Sequence, residues 1–118
     1  MQVIMLEPGK PAYVKEIGSD LASIQEAVEG TVEIIYPFSD VFVGLACNEE
    51  GKINGLPLNR AVYDNDGEII DIIAGKAFLC DCSTDELQSL SPELLDKYLK
   101  KFEHPQKFAR LNGEIIAF

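Results

Sequence analysis

Val32-Glu33-Ile34-Ile35-Tyr36-Pro37, Val41-Phe42-Val43-Gly44-Leu45-Ala46-Cys47 and the run Ile69-Ile70-Asp71-Ile72-Ile73-Ala74-Gly75-Lys76-Ala77-Phe78-Leu79-Cys80-Asp81-Cys82 decide the fold. β-branched and aromatic residues dominate them, and Pro37 closes the first run because proline cannot donate to a ladder. From Val41 to Cys47 apolar residues occupy both alternating sets, so both faces of that strand should be covered. Asn48-Glu49-Glu50-Gly51, Asn54-Gly55 and Asp64-Asn65-Asp66-Gly67 each place Gly beside Asn, Asp or Glu, where a turn with positive φ is cheap. The segment 31–82 therefore reads as a β meander. Ile69–Ile73 and Lys76–Cys82 are its last strands, with Gly75 as a bulge between them.

Outward from this centre the pattern changes. Upstream, Val3–Leu6 is a short apolar run closed by Glu7-Pro8-Gly9-Lys10-Pro11, and Tyr13-Val14-Lys15 returns as a second strand. Ile17, Leu21, Ile24 and Val28 then follow at helical spacing, with Ser19 or Asp20 as cap and Gly30 as stop; this predicts a helix over 19–29. Downstream, Ser83 and Glu86 have capping-box spacing, and Ser91-Pro92 restarts the helix. Leu94, Leu95, Tyr98, Leu99 and Phe102 form its apolar stripe, which places helical structure within 84–103. Asn112-Gly113, between Phe108–Leu111 and Glu114–Phe118, predicts a terminal hairpin. The sum is one α+β domain over 1–118: a mainly antiparallel sheet, two helical segments packed on it and a C-terminal β-hairpin.

At 118 residues and 47% hydrophobic, the chain can build one core without disulfide or metal staples. Twenty acidic residues against ten basic ones leave a net charge of −10, which argues against direct binding to nucleic-acid backbones. The acidity is concentrated centrally, in Asp64, Asp66, Glu68, Asp71, Asp81, Asp85 and Glu86, with Lys76 the one base between 61 and 90. The opening residues lack the pattern of a secretory leader, and no apolar stretch is long enough to span a bilayer. Three cysteines, two of them as Cys80-Asp81-Cys82, suit reduced thiols in a cytoplasmic setting.

Chemistry-bearing motifs are few. Asp64-Asn65-Asp66-Gly67 resembles part of a calcium loop, but its register would put Val62 and Ile73 at the two carboxylate positions, so a hairpin turn is expected. Cys47, Cys80, Cys82 and His104 could form a zinc site only without the usual Cys-x-x-Cys knuckle; buried thiols are the simpler reading. One histidine and no nucleophile elbow or phosphate loop leave no catalytic residue to name, and we expect no bound metal and no cofactor. Arg60 is the exception in interest. It is the only base between Lys52 and Lys76, so its guanidinium should fork onto a carboxylate, Asp71 being a candidate, or offer donors to an anion.

Leu6-Glu7-Pro8-Gly9-Lys10, Asn48-Glu49-Glu50-Gly51-Lys52, Gly55-Leu56-Pro57-Leu58-Asn59-Arg60 and Asp64-Asn65-Asp66-Gly67-Glu68-Ile69-Ile70-Asp71-Ile72-Ile73-Ala74-Gly75 together resemble a small family known as a domain of unknown function. The likeness covers roughly residues 1–82. The resemblance implies occurrence in Firmicutes and in phages and conjugative elements of gut bacteria, hence a mobile-element setting, and it transfers no activity.

Two functions follow as expectations. One is a non-enzymatic acidic module that meets a host protein with a basic surface; its sharpest form is a DNA mimic with an anti-defence role. The alternative is a pocket for a small anionic, nucleotide-like ligand, lined by Asn48, Asn59, Arg60, Tyr63 and Asp71.

Overall fold

The computed structural model describes residues 1–38, 42–64 and 66–118. The expectations that fall on Val41 and Asn65 lie outside the described residues. In chain order the elements are β1 (Gln2–Leu6), β2 (Tyr13–Glu16), α1 (Leu21–Val28), β3 (Val32–Ile35), β4 (Val43–Asn48), β5 (Leu58–Tyr63), β6 (Ile69–Ala74), β7 (Ala77–Asp81), α2 (Pro92–Lys101), β8 (Phe108–Leu111) and β9 (Glu114–Ala117). The architecture is α+β with every strand pairing antiparallel.

Five strands form the main sheet in the order β2-β1-β7-β4-β3. Its two faces carry separate cores. On one, α1 brings Ile24 and Val28 against Val3, Met5, Ala46, Phe78 and Cys80. On the other, the β5–β6 ribbon and α2 bring Val62, Ile73, Tyr98 and Phe102 against Ile4, Leu6, Val43, Leu45 and Leu79. Because both faces are covered, β1 and β7 are unbroken apolar runs rather than alternating ones. Among the described residues, no helix is long and apolar enough to cross a membrane.

The sequence-based meander needs correction. β6 and β7 are consecutive but unpaired: β6 pairs only with β5, whereas β7 inserts between β1 and β4. Gly75 is the corner between the two sheets, not a bulge within one. Its φ of +81° is a conformation that glycine adopts without Cβ strain, and its N–H donates to Pro57 O at 2.8 Å.

The helix expected from Ser83 does not form before Pro92. Asp81 Oδ1 accepts from both Ser83 N (2.8 Å) and Ser83 Oγ, and Asp81 and Gln88 exchange backbone hydrogen bonds at 3.0 Å. Leu90 N then donates to Gln2 O. These bonds occupy the backbone that a capping box would have turned into helix. Ser91 is the actual cap of α2, its Oγ accepting from Leu94 N at 3.3 Å. In α1 the cap is Asp20, whose carboxylate accepts from Ser23 N and Ser23 Oγ, which holds it below the usual aspartate range. The left-handed residue that ends α1 is Glu29 (φ 59°), one position before Gly30.

The C-terminal hairpin forms as expected, with Asn112 and Gly113 both at positive φ. Phe108, Ile115 and Ala117 on one face are half-buried, while Ala109, Leu111, Glu114 and Ile116 on the other are exposed.

Candidate functional site

Asn59 and Arg60 are consecutive on a strand, yet both are buried, at 0% and 1% exposure. Strict alternation would turn one of them outward. The register of β5 against β6 shifts between Leu58 and Arg60, and that bulge lets both side chains enter the interior.

Every polar atom of the Asn59 amide is used. Nδ2 donates to Leu6 O (2.7 Å) and Gly75 O (2.8 Å), and Oδ1 accepts from Arg60 Nη1 (2.9 Å). Arg60 does not reach a carboxylate. Nη1 also donates to Glu7 O (3.3 Å) and Asn59 O (3.2 Å), and Nη2 donates to Lys10 O (2.7 Å) and Phe102 O (3.2 Å). The Nε atom is buried without a partner. Burial pulls the guanidinium below its ordinary value. Carbonyl dipoles compensate the charge, among them that of Phe102, the C-cap of α2, where the negative end of the helix lies. The node thereby ties β1 and the turn after it, the β5–β6 ribbon and α2 into one unit.

The suggested pairing of Arg60 with Asp71 is not made. Asp71 pairs with Lys52 and accepts from Ile72 N at 2.8 Å. In β6 it lies opposite Val62, and the partner of Arg60 is Ile73. Asn48 lies elsewhere, at the end of β4. Its Nδ2 donates to Val28 O and Glu29 O, both at 3.3 Å, and its Oδ1 accepts from Glu50 N at 2.9 Å. It clasps the C-terminus of α1. Gly30 leaves the room for this, since a Cβ there would stand 2.6 Å from Asn48 Nδ2. Tyr63 is 43% exposed, its hydroxyl accepting from Gln106 Nε2 at 2.9 Å.

The five residues named from the sequence are thus distributed over three places. Asn48 and Asp71 share a small cleft of about 280 Å³ with Glu33, Glu49 and Lys52. Tyr63 lines a second cleft of about 280 Å³, with Phe38, Lys97 and Lys101. Asn59 and Arg60 line neither. Sequence reading missed Gln106, whose Oε1 accepts Ala61 N at 2.6 Å, and the lysines at 97 and 101; the four-residue spacing of those lysines around Tyr98 was the available signal. A third cleft of about 400 Å³ lies between β2 and α1. At its wall Tyr13 donates to Glu7 Oε2 (2.7 Å), and Lys10 and Lys76 stand 3.9 and 3.5 Å from the other oxygen. The shared proton holds Glu7 below the usual glutamate range and pushes Tyr13 up to about 12.

The zinc alternative meets a geometric obstacle. Cys47 belongs to one face of the sheet and Cys80 to the other, while His104 is exposed. Burial pushes the Cys47 thiol up to about 11, away from the thiolate that a metal would need. Among the described residues, no group of three or more His, Cys, Asp or Glu is placed to hold a metal ion.

What these observations define is an α+β domain in which the buried polar node of Asn59 and Arg60 is structural in its bonding and the surface carries several clefts. Residues 1–103 match the family described as Domain of unknown function (DUF3846), and the chain belongs to that family. The match runs beyond residue 82 to take in α2 and Phe102, and it ends before the hairpin. No curated protein and no solved structure matches the chain.

Proposed function

We propose that this domain is a non-enzymatic acidic binding module of a phage or conjugative element, acting in the bacterial cytoplasm on a host protein with a basic surface. The observation that carries the reading is the state of the charges. Asp64, Asp66, Glu68, Asp85 and Glu86 are exposed, and none has a cation within 4.0 Å among the described residues. Meanwhile Lys10, Lys52, Lys76 and Lys100 are paired with carboxylates and Arg60 is buried. Each of these pairs takes up an acid along with its base, so the net charge of −10 stands, and these five exposed acids carry part of that excess. Such a surface speeds encounter with a basic partner and selects against acidic ones. The acids fall in two groups, at the β5–β6 turn and after β7, and an anti-defence or DNA-mimic role would require both groups to engage one cleft.

The test is affinity capture from a bacterial host, comparing the native chain with one in which Asp64, Asp66, Glu68, Asp85 and Glu86 become Asn or Gln. A basic protein retained by the native chain, released by about 0.5 M salt and lost with the neutralised variant, is the expected result. Equal capture by both chains, or none, would overturn the proposal.

A further inference from the structure

The cleft between α2 and β5 has a chemistry opposite to that of the surface around it. Its floor is aromatic. The Phe38 ring centroid lies 4.6 Å from that of Tyr98, tilted by 46°, and 6.2 Å from that of Phe102. Over this floor stand two ammonium groups: Lys101 Nζ is 4.7 Å from the Phe38 centroid and 5.9 Å from that of Tyr98, and Lys97 Nζ is 5.3 Å from the latter. Neither lysine has a carboxylate within 4.0 Å among the described residues, although acids outnumber bases two to one in the chain.

Helix-dipole stabilisation accounts for Lys100 and Lys101, in the last turn of α2, and Lys100 is also paired with Asp96 at 3.2 Å. It does not account for Lys97, which lies a turn earlier, where a like charge four residues from Lys101 is mildly unfavourable. Asp64 lines the same cleft, its Oδ1 accepting from the N–H groups of Asp66 and Glu68, both at 2.9 Å, so the cleft sets two ammonium groups against one carboxylate. The exposed ring of Tyr63 completes the wall, and the hydrogen bond from Gln106 sets its orientation.

We infer that this cleft binds a small planar aromatic anion of the nucleoside monophosphate class, its ring stacked on Tyr63 and its phosphate held by Lys97 and Lys101. Stacking on an aromatic side chain and charge-assisted bonds to two ammonium groups are the two elements such a ligand needs. At about 280 Å³ the space lies at the small end of ligand clefts, the scale of a single nucleotide. The net charge of −10 disfavours a longer nucleic acid at the same place. The site does not depend on the acidic-module reading.

The experiment is an NMR titration of the full chain with adenosine monophosphate and uridine monophosphate. Adenosine, inorganic phosphate and a short single-stranded oligonucleotide serve as separate arms. Saturable shifts at Tyr63, Lys97 and Lys101 are expected with the monophosphates, with adenosine and phosphate each at least about tenfold weaker. The paired variant Lys97→Gln with Lys101→Gln, both at exposed positions, should weaken binding by about tenfold or more. Lys100→Gln should leave it unchanged. No saturable binding at several millimolar, binding insensitive to the paired variant, phosphate as tight as nucleotide, or binding of the oligonucleotide alone would each overturn the inference.

Discussion

Arg60 Nη2 donates to the carbonyl oxygen of Phe102 at 3.2 Å, so the buried cation of β5 sits at the C-terminal end of α2. This relationship joins elements 42 residues apart in sequence, and both residues lie within the part of the chain that matches the family. It also sets what substitution should do. A buried arginine compensated by carbonyls differs from one paired with a carboxylate, because its removal leaves acceptors rather than a charge unsatisfied.

Arg60→Ala should therefore lower stability by about 3 kcal/mol, since the carbonyls of Lys10, Phe102 and Glu7 lose their donor in the interior. Arg60→Lys should recover little, because one ammonium cannot reach carbonyls on both sides as the planar fork does. Urea unfolding midpoints at constant slope measure both. An Arg60→Ala chain as stable as the native one would show that the node is dispensable.

Asn48 and Gly30 should be energetically coupled. Asn48→Ala removes the clasp on the last carbonyls of α1 and should cost about 1–2 kcal/mol. Gly30→Ala drives a methyl group into the same amide and should cost a similar amount. In the double variant there is no amide left to displace, so its loss should fall short of the sum. Additive losses would separate the two sites.

The Glu7–Tyr13 hydrogen bond has consequences at both ends of the pH scale. The folded pKa of Glu7 is depressed, so its contribution is present above the unfolded value of 4.5 and is lost as pH falls through the folded pKa. The folded pKa of Tyr13 is raised to about 12, so its contribution is complete below 10 and fades as pH rises through 12. Absorbance titration should show the Tyr13 phenol ionising at about 12, and Tyr13→Phe should remove that step. Glu7→Gln should flatten the acid limb of the stability profile.

The two capping signals read before and at the start of α2, Ser83 with Glu86 and Ser91 with Pro92, should behave differently. Ser91→Ala removes the side chain that accepts Leu94 N and should cost about 1 kcal/mol. Glu86→Ala, at an exposed position with no capping role, should change stability by less than about 0.5 kcal/mol and leave helical content unaltered. Circular dichroism with thermal unfolding distinguishes them.

Local chemistry made much of this protein readable in sequence. The helical stripe of Ile24 and Val28, the Ser91-Pro92 start of α2 and the Asn112-Gly113 hairpin each depend on neighbours a few residues away, and each occurs where those neighbours place it. The apolar residues on both alternating sets of Val43–Cys47 likewise announced a strand covered on both faces. Tertiary structure alone decided the rest. Nothing local tells Ile69–Ala74 and Ala77–Asp81 to part into different sheets, because strand partners are chosen by which apolar faces can be covered together. Ser83 and Glu86 had the spacing of a cap, but Asp81 and Gln88 claimed the backbone first. Arg60 stood out in sequence as a lone base among acids. Its partners were beyond local reading, because they are main-chain carbonyls of Glu7, Lys10 and Phe102, groups that every residue carries and that only the folded chain brings together around one guanidinium.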